Sequence, residues 1–190
     1  NLYVADKSNN RIRKIVIDNG TVTTLAGSSS GSEDGTGTAA EFNTPKGITT
    51  DGTNLYVVDK GNNKIRKIGI DNGTVTTLAG GSGVFNSPQK ITIAGSNLYV
   101  SDKSNHRIRK IVISTGAVTT LAGTGSAGSS DANGTLASFN EPYGLTSVGT
   151  SLFVADTSNH KIRKIALRET ETANLTLHNL DDDLNVKVNV

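Results

Sequence analysis

The 190-residue chain is predicted to be an all-β protein, a β-propeller of about four four-stranded blades. Three observations carry that prediction. One fourteen-residue word is written four times: LYVADKSNNRIRKI from Leu2, LYVVDKGNNKIRKI from Leu55, LYVSDKSNHRIRKI from Leu98 and LFVADTSNHKIRKI from Leu152, with starts 53, 43 and 54 residues apart. A period of this size with strand-like words inside it marks a stacked repeat. Each unit then divides into short runs rich in Val, Ile, Thr, Tyr and Leu between turn residues, a composition that suits a pleated surface. Finally, Leu55, Tyr56, Val57 and Val58 are apolar at successive positions. Both faces of that strand are therefore expected to be covered, as when one small sheet lies between two others.

The second unit shows the elements in order. A first strand is expected at residues 47–50, just after Pro45, a second at 54–59, a third at 64–70 and a fourth at 74–79. Between the second and third lies an Asp/Asn-rich segment at 59–63, with copies at 6–10, 102–106 and 156–160. Its side chains can bond nearby backbone and tighten the turn. The third and fourth strands are joined by Asp18-Asn19-Gly20, Asp71-Asn72-Gly73 and Ser114-Thr115-Gly116, and Asn-Gly is the strongest short hairpin signal.

At this level of detail the repeats resemble a known family. SNHRIRKI and SNHKIRKI, preceded by LYVSD and LFVAD and in the third unit followed by TLAG, are similar to the NHL repeat, named for an Asn-His-Leu word. The Asn-His pair stands at Asn105-His106 and Asn159-His160, Asn9-Asn10 and Asn62-Asn63 replace it in the first two units, and Arg or Lys then Ile replaces the Leu. The resemblance covers residues 1–167. It implies a propeller, most often of about six blades, with binding on one face of the disc, and it leaves the partner open.

Composition narrows the function classes. Lys+Arg 19 against Asp+Glu 17 gives a net charge of +2, so no strongly electrostatic partner is implied. Twelve of the basic residues belong to the Ile-Arg-Lys words and three more, Lys7, Lys60 and Lys103, share one repeat position. The basic balance is thus a by-product of the repeat, and no nucleic-acid partner is expected. Seven of the eight aromatics occupy two repeat positions expected in the core (Tyr3, Tyr56, Tyr99, Phe153; Phe42, Phe85, Phe139), which leaves Tyr143 outside the pattern. Absence of Cys excludes a disulfide framework and thiolate chemistry. No apolar run approaches the about 18 residues of a membrane span. A Gly-, Ser-, Thr- and Asn-rich, bacterial-like composition leans toward a secreted or cell-surface protein.

Catalysis finds no constellation. Asp6, Asp59, Asp102 and Asp156 recur with Arg13, Arg66, Arg109 and Arg163; a catalytic pair needs one special member, and a fourfold copy has none. The expected role is structural, each Asp bonded to backbone or to an Arg between blades. His106 and His160 fill one repeat position and lack a converging third zinc ligand, while His178 stands alone in the tail. No catalytic residue, metal or cofactor is therefore expected.

The units differ mainly in one loop. Leu25 to Phe42 spans 17 positions, Leu78 to Phe85 only 7, and Leu121 to Phe139 18. Spare loop length is where repeat proteins place recognition, so Asp34, Thr36, Asp131 and Asn133, together with Tyr143, are the candidate partner-binding residues. The alternative is that Phe42, Phe85 and Phe139 tuck these loops between blades. Sequons at Asn19, Asn72, Asn133 and Asn174 are possible glycosylation sites.

Asn1 opens the chain within a unit, which predicts a first blade lacking its innermost strand and a processed chain or an excerpt of a longer one. The tail, 168–190, leaves the repeat. Residues 173–177 are a candidate fourth strand for the last blade, and Leu184, Val186, Val188 and Val190 alternate with polar residues as a half-buried strand. That strand can close a ring or add head-to-tail to a neighbouring copy. The functional expectation is a non-enzymatic extracellular scaffold or recognition module with a protein or surface ligand. The first alternative is a self-assembling filament joined by strand exchange. A zinc-dependent lyase on the same fold is the second.

Overall fold

The computed structural model describes residues 1–167; residues 168–190, with the expected assembly strand, His178 and Asn174, lie outside the described residues. Four antiparallel sheets follow one another along the chain. The first holds β1 (Leu2–Asp6), β2 (Arg11–Ile15) and β3 (Val22–Ala26). A two-residue strand, β4 (Gly35–Thr36), leaves the following loop and pairs with the outer edge of the second sheet. That second sheet runs from β5 (Pro45–Thr50) through β6 (Asn54–Asp59) and β7 (Lys64–Gly69) to β8 (Thr74–Gly80). The third repeats it with β9 (Pro88–Ala94), β10 (Asn97–Asp102), β11 (Arg107–Val112) and β12 (Val118–Ala122), and the fourth has β13 (Pro142–Val148), β14 (Ser151–Asp156) and β15 (Lys161–Ala166). Among the described residues the first sheet holds three strands, in the order β1-β2-β3.

The sheets stack as blades because each second strand is apolar on both faces. Leu55, Tyr56, Val57 and Val58 are all buried. Leu55 and Val57 pack against Ile12 and Ala26 of the first blade, and Tyr56 and Val58 against Leu98 and Val100 of the third. A further cluster joins Tyr99 and Ile108 of the third blade to Leu152 and Val154 of the fourth. Each fully buried Leu, Ile or Val contributes about 1.5–3 kcal/mol, so the interfaces between blades carry most of the hydrophobic stabilisation. β9 touches both β5 and β13, which makes these first strands the inner lining. They come close enough that a Cβ on Gly47 would lie 2.9 Å from the Gln89 carbonyl oxygen and the Ile91 amide.

Phe42, Phe85 and Phe139 lie buried between blades, as the tucked-loop reading expects. Gly80 at φ 106° is required where the outer strand ends, because a Cβ there would collide with the Asn63 carbonyl; Gly27 and Gly123 sit in the same way against Asn10 and His106. Among the described residues, no helix is long and apolar enough to cross a membrane.

Candidate functional site

The recurring charged residues form one cluster per blade. In the second blade Arg66 is fully buried, donates to Asp59 Oδ2 (2.9 Å) and to the carbonyls of Glu41 (2.9 Å) and Glu33 (2.8 Å), and stacks on the Phe42 ring at 5.1 Å. Asp59 also accepts from Asn62 Nδ2 (2.8 Å) and from the Asn43 amide (2.7 Å). Burial pushes the Asp59 carboxyl above its ordinary value against the opposing pull of these donors. Arg109 with Asp102 and Phe85, and Arg163 with Asp156 and Phe139, repeat the arrangement. Each Asp and Arg come from neighbouring strands of one blade, so the pair bridges strands within a blade and not between blades. The incoming loop is what crosses the gap, carrying its Phe with it. In the first blade Arg13 and Asp6 are 3.6 Å apart and partly exposed.

The Asn/His position is a clip between blades. Asn10, Asn63, His106 and His160 all adopt left-handed backbone with φ of 52–55°, which Asn and His tolerate better than most side chains. Asn10 Oδ1 accepts from the Thr44 amide (2.9 Å), Asn63 Oδ1 from Ser87 (2.9 Å) and His106 Nδ1 from Glu141 (3.1 Å). Amide oxygen and imidazole nitrogen thus do one job at one reach, which accounts for the exchange of Asn and His in the repeat. Among the described residues no three His, Asp or Glu side chains gather as a metal site.

The long loops are tied down by the same arginines. Asp34 accepts from Arg66 (2.7 Å) and from the Thr77 amide (3.0 Å); burial raises its carboxyl, but these donors outweigh it and hold it below the ordinary value. Asp131 pairs with Arg163 in the fourth blade. Thr36 is exposed, with its hydroxyl 3.3 Å from that of Thr74. Asn133 is exposed at the start of a short 3-10 turn. Asn19 and Asn72 accept from the amides of Thr21 (3.0 Å) and Thr74 (2.9 Å), as turn residues do.

Tyr143 belongs elsewhere. It follows Pro142 at the start of β13, and the matching positions after Pro45 and Pro88 are Lys46 and Gln89. These three residues, one from each inner strand, meet: Lys46 Nζ donates to Gln89 Oε1 (2.6 Å) and to Tyr143 OH (3.2 Å), and lies 5.1 Å from the centre of the Tyr143 ring. Gln89 is only 2% exposed, and its amide nitrogen donates to the Ser87 carbonyl (2.7 Å) and hydroxyl (3.2 Å). The hydrogen bond from Lys46 eases ionisation of the Tyr143 phenol, outweighing burial, and the charges of Lys46, Lys90 and Lys7 add to it. Lys46 and Gln89 escape a reading that looks for repetition, because their signal is the failure to repeat. Lys, Gln and Tyr stand at one position in a chain that otherwise copies itself.

No family model matches the chain. Over 80 residues, 42% of this chain, it is 39% identical to NHL repeat-containing protein 2 of Gallus gallus, in a segment that makes up 11% of that protein. An auxiliary nutrient binding protein from Bacteroides thetaiotaomicron VPI-5482 has a similar structure, with a TM-score of 0.66 at 20% identity over 85% of this chain and 44% of the other. A chain of the nidogen/laminin complex is similar with a TM-score of 0.65 at 20% identity, over 87% of this chain and 54% of that one. The chain therefore spans about half the length of these structures or less, and a much smaller part of the chicken protein. Its repeats are of the NHL type and fold as the blades of a β-propeller.

Proposed function

We propose that the chain is a non-enzymatic recognition module of a secreted or cell-surface protein, and that its partner meets the inner-strand face where Lys46, Gln89 and Tyr143 converge. One observation carries this reading. The recurring Asp/Arg pairs and the three loop phenylalanines are spent on holding blades and loops together, whereas these three residues differ from blade to blade and close no interface core. The similarity to a nutrient binding protein and to a chain of the nidogen/laminin complex supports a binding role of this general kind. The long loops, with Asp34 and Asp131 committed to arginines, frame the blades and leave Thr36 and Asn133 exposed as secondary contacts.

Screening glycans, peptides and small acids by thermal shift tests the reading. A true partner stabilises the parent chain and fails to stabilise Tyr143→Ala or Gln89→Ala. A partner bound equally by all three, or chemical turnover of a ligand that survives both substitutions, refutes it.

A second reading, assembly of copies edge to edge, is favoured by the outer face of the first blade. Leu2 is 56% and Val4 41% exposed, whereas their counterparts Leu55 and Val57 are 1% and 0% exposed beneath a neighbouring blade. A blade of a second copy fits this face because the chain already makes that interface between its own blades. Sedimentation checks it: concentration-dependent polymers that Leu2→Asp with Val4→Asp abolishes support assembly, and a monomer at all concentrations rules it out.

A further inference from the structure

The inner-strand cluster has the donor inventory of an anion site. Lys46 carries three N–H bonds, of which two go to Gln89 and Tyr143. Gln89 cannot turn its amide around, since its nitrogen is bonded to Ser87 and its oxygen to Lys46. Tyr143 accepts from Lys46, so its own hydroxyl proton points onward, with no acceptor for it among the described residues. Lys90 and Lys7 add their charges around the same phenol, and both are exposed. Among the described residues none of these three lysines is ion-paired, and Glu141, two residues before Tyr143, is committed to Lys103 at 3.0 Å. The remaining N–H of Lys46 and the hydroxyl proton of Tyr143 therefore face a place where the described residues supply no acceptor, and the charges of Lys90 and Lys7 are felt at the same phenol. Like charges gathered this way repel one another until a counter-charge joins them.

We propose that Lys46 and Tyr143 bind an oxyanion, the carboxylate or phosphate group of a small ligand, with Gln89 as the positioning residue that aims Lys46. This rests on the recognition reading above and supplies its ligand class. Lys46 and Tyr143 contact the oxyanion directly as charged and neutral donors, and Lys90 and Lys7 contribute attraction that salt weakens.

The test titrates the full chain with citrate, inorganic pyrophosphate and neutral sorbitol, following binding by calorimetry. The phenol is followed in parallel by its ultraviolet absorbance on alkaline titration. The titration is made in a Tyr3→Phe background, where Tyr56, pushed up to about 12 by burial and by its bond to Asp51, and Tyr99, raised by burial, ionise later than Tyr143. We expect one or both anions to bind, the preferred one identifying carboxylate or phosphate as the natural head group, and to shift Tyr143 ionisation to higher pH. Lys46→Met is expected to weaken binding at least about tenfold, or about 1.4 kcal/mol. The exposed Lys90→Gln, which cannot disturb packing, is expected to weaken it about threefold, while Lys67→Gln on the third strand of the second blade leaves it unchanged. Tyr143→Phe removes the spectroscopic shift. Absence of binding by either anion overturns the proposal, as does binding that Lys46→Met and Lys90→Gln leave intact. Sorbitol binding as tightly as citrate, and lost in Tyr143→Phe, overturns the anion class while leaving this face as the recognition site.

Discussion

Methionine in place of Arg66 keeps much of the side-chain volume and removes the charge. Arg66 has no solvent exposure and bonds four oxygens: Asp59 Oδ2, Asp34 Oδ1 and the carbonyls of Glu41 and Glu33. Its loss leaves the buried Asp59 carboxylate with only the Asn62 and Asn43 donors. Breaking a buried pair from one side costs about 3–5 kcal/mol, because the surviving charge stays desolvated. The matched substitution Arg13→Met removes the same repeat residue where the pair is 3.6 Å apart and each side chain is 27% exposed, a setting in which ion pairs are worth about 0–1 kcal/mol. Arg109→Met and Arg163→Met fall between, since those side chains are 12% and 10% exposed. Urea unfolding of the four variants, followed by circular dichroism and tyrosine fluorescence, measures the series, and Asp59→Asn added to Arg66→Met should recover part of the loss. Equal destabilisation by Arg66→Met and Arg13→Met would refute the claim that burial and the loop contacts, not the pair itself, set the energy.

Other substitutions probe the remaining contacts. His106→Asn should be near neutral, because Asn10 and Asn63 make the same clip, while His106→Ala loses the acceptor for the Glu141 amide and costs about 1 kcal/mol in thermal unfolding. Gly80→Ala must place a Cβ against the Asn63 carbonyl at φ 106°, and a loss above about 1 kcal/mol is expected. Burial raises the Asp51 carboxyl, but bonds from Asn54, Tyr56 and Thr53 outweigh it and hold the value at about 2, below the ordinary 3.8. Its stabilising contribution is present above the ordinary value and disappears as pH falls through about 2. Tyr56→Phe removes one of those donors, at 2.8 Å, so a carboxyl NMR titration should show Asp51 moving back toward the ordinary value and acid unfolding beginning at higher pH.

The architecture was legible because it is written in local pattern. The double-faced apolar word at Leu55 to Val58 and the Asn-Gly turns require no knowledge of distant partners, and the strands fall within a residue or two of their expected places. Phe42 and its copies could be placed between blades from spacing alone. The roles of the polar residues were less accessible. That Asp34 faces Arg66 depends on a loop folding back across 32 positions, so its acidic character reads as a binding feature until the guanidinium is seen beside it. Asn10 and His106 look like turn residues or metal ligands because their partners, the amides of Thr44 and Glu141, belong to the next unit. The meeting of Lys46, Gln89 and Tyr143 spans 97 residues and becomes visible only when the inner strands are brought side by side.

The clips also give the molecule a direction. Each is fastened by an amide that arrives 24 to 35 residues further along the chain, so a blade stays partly unlatched until its successor has been laid down. A chain halted midway should hold every joint but its newest.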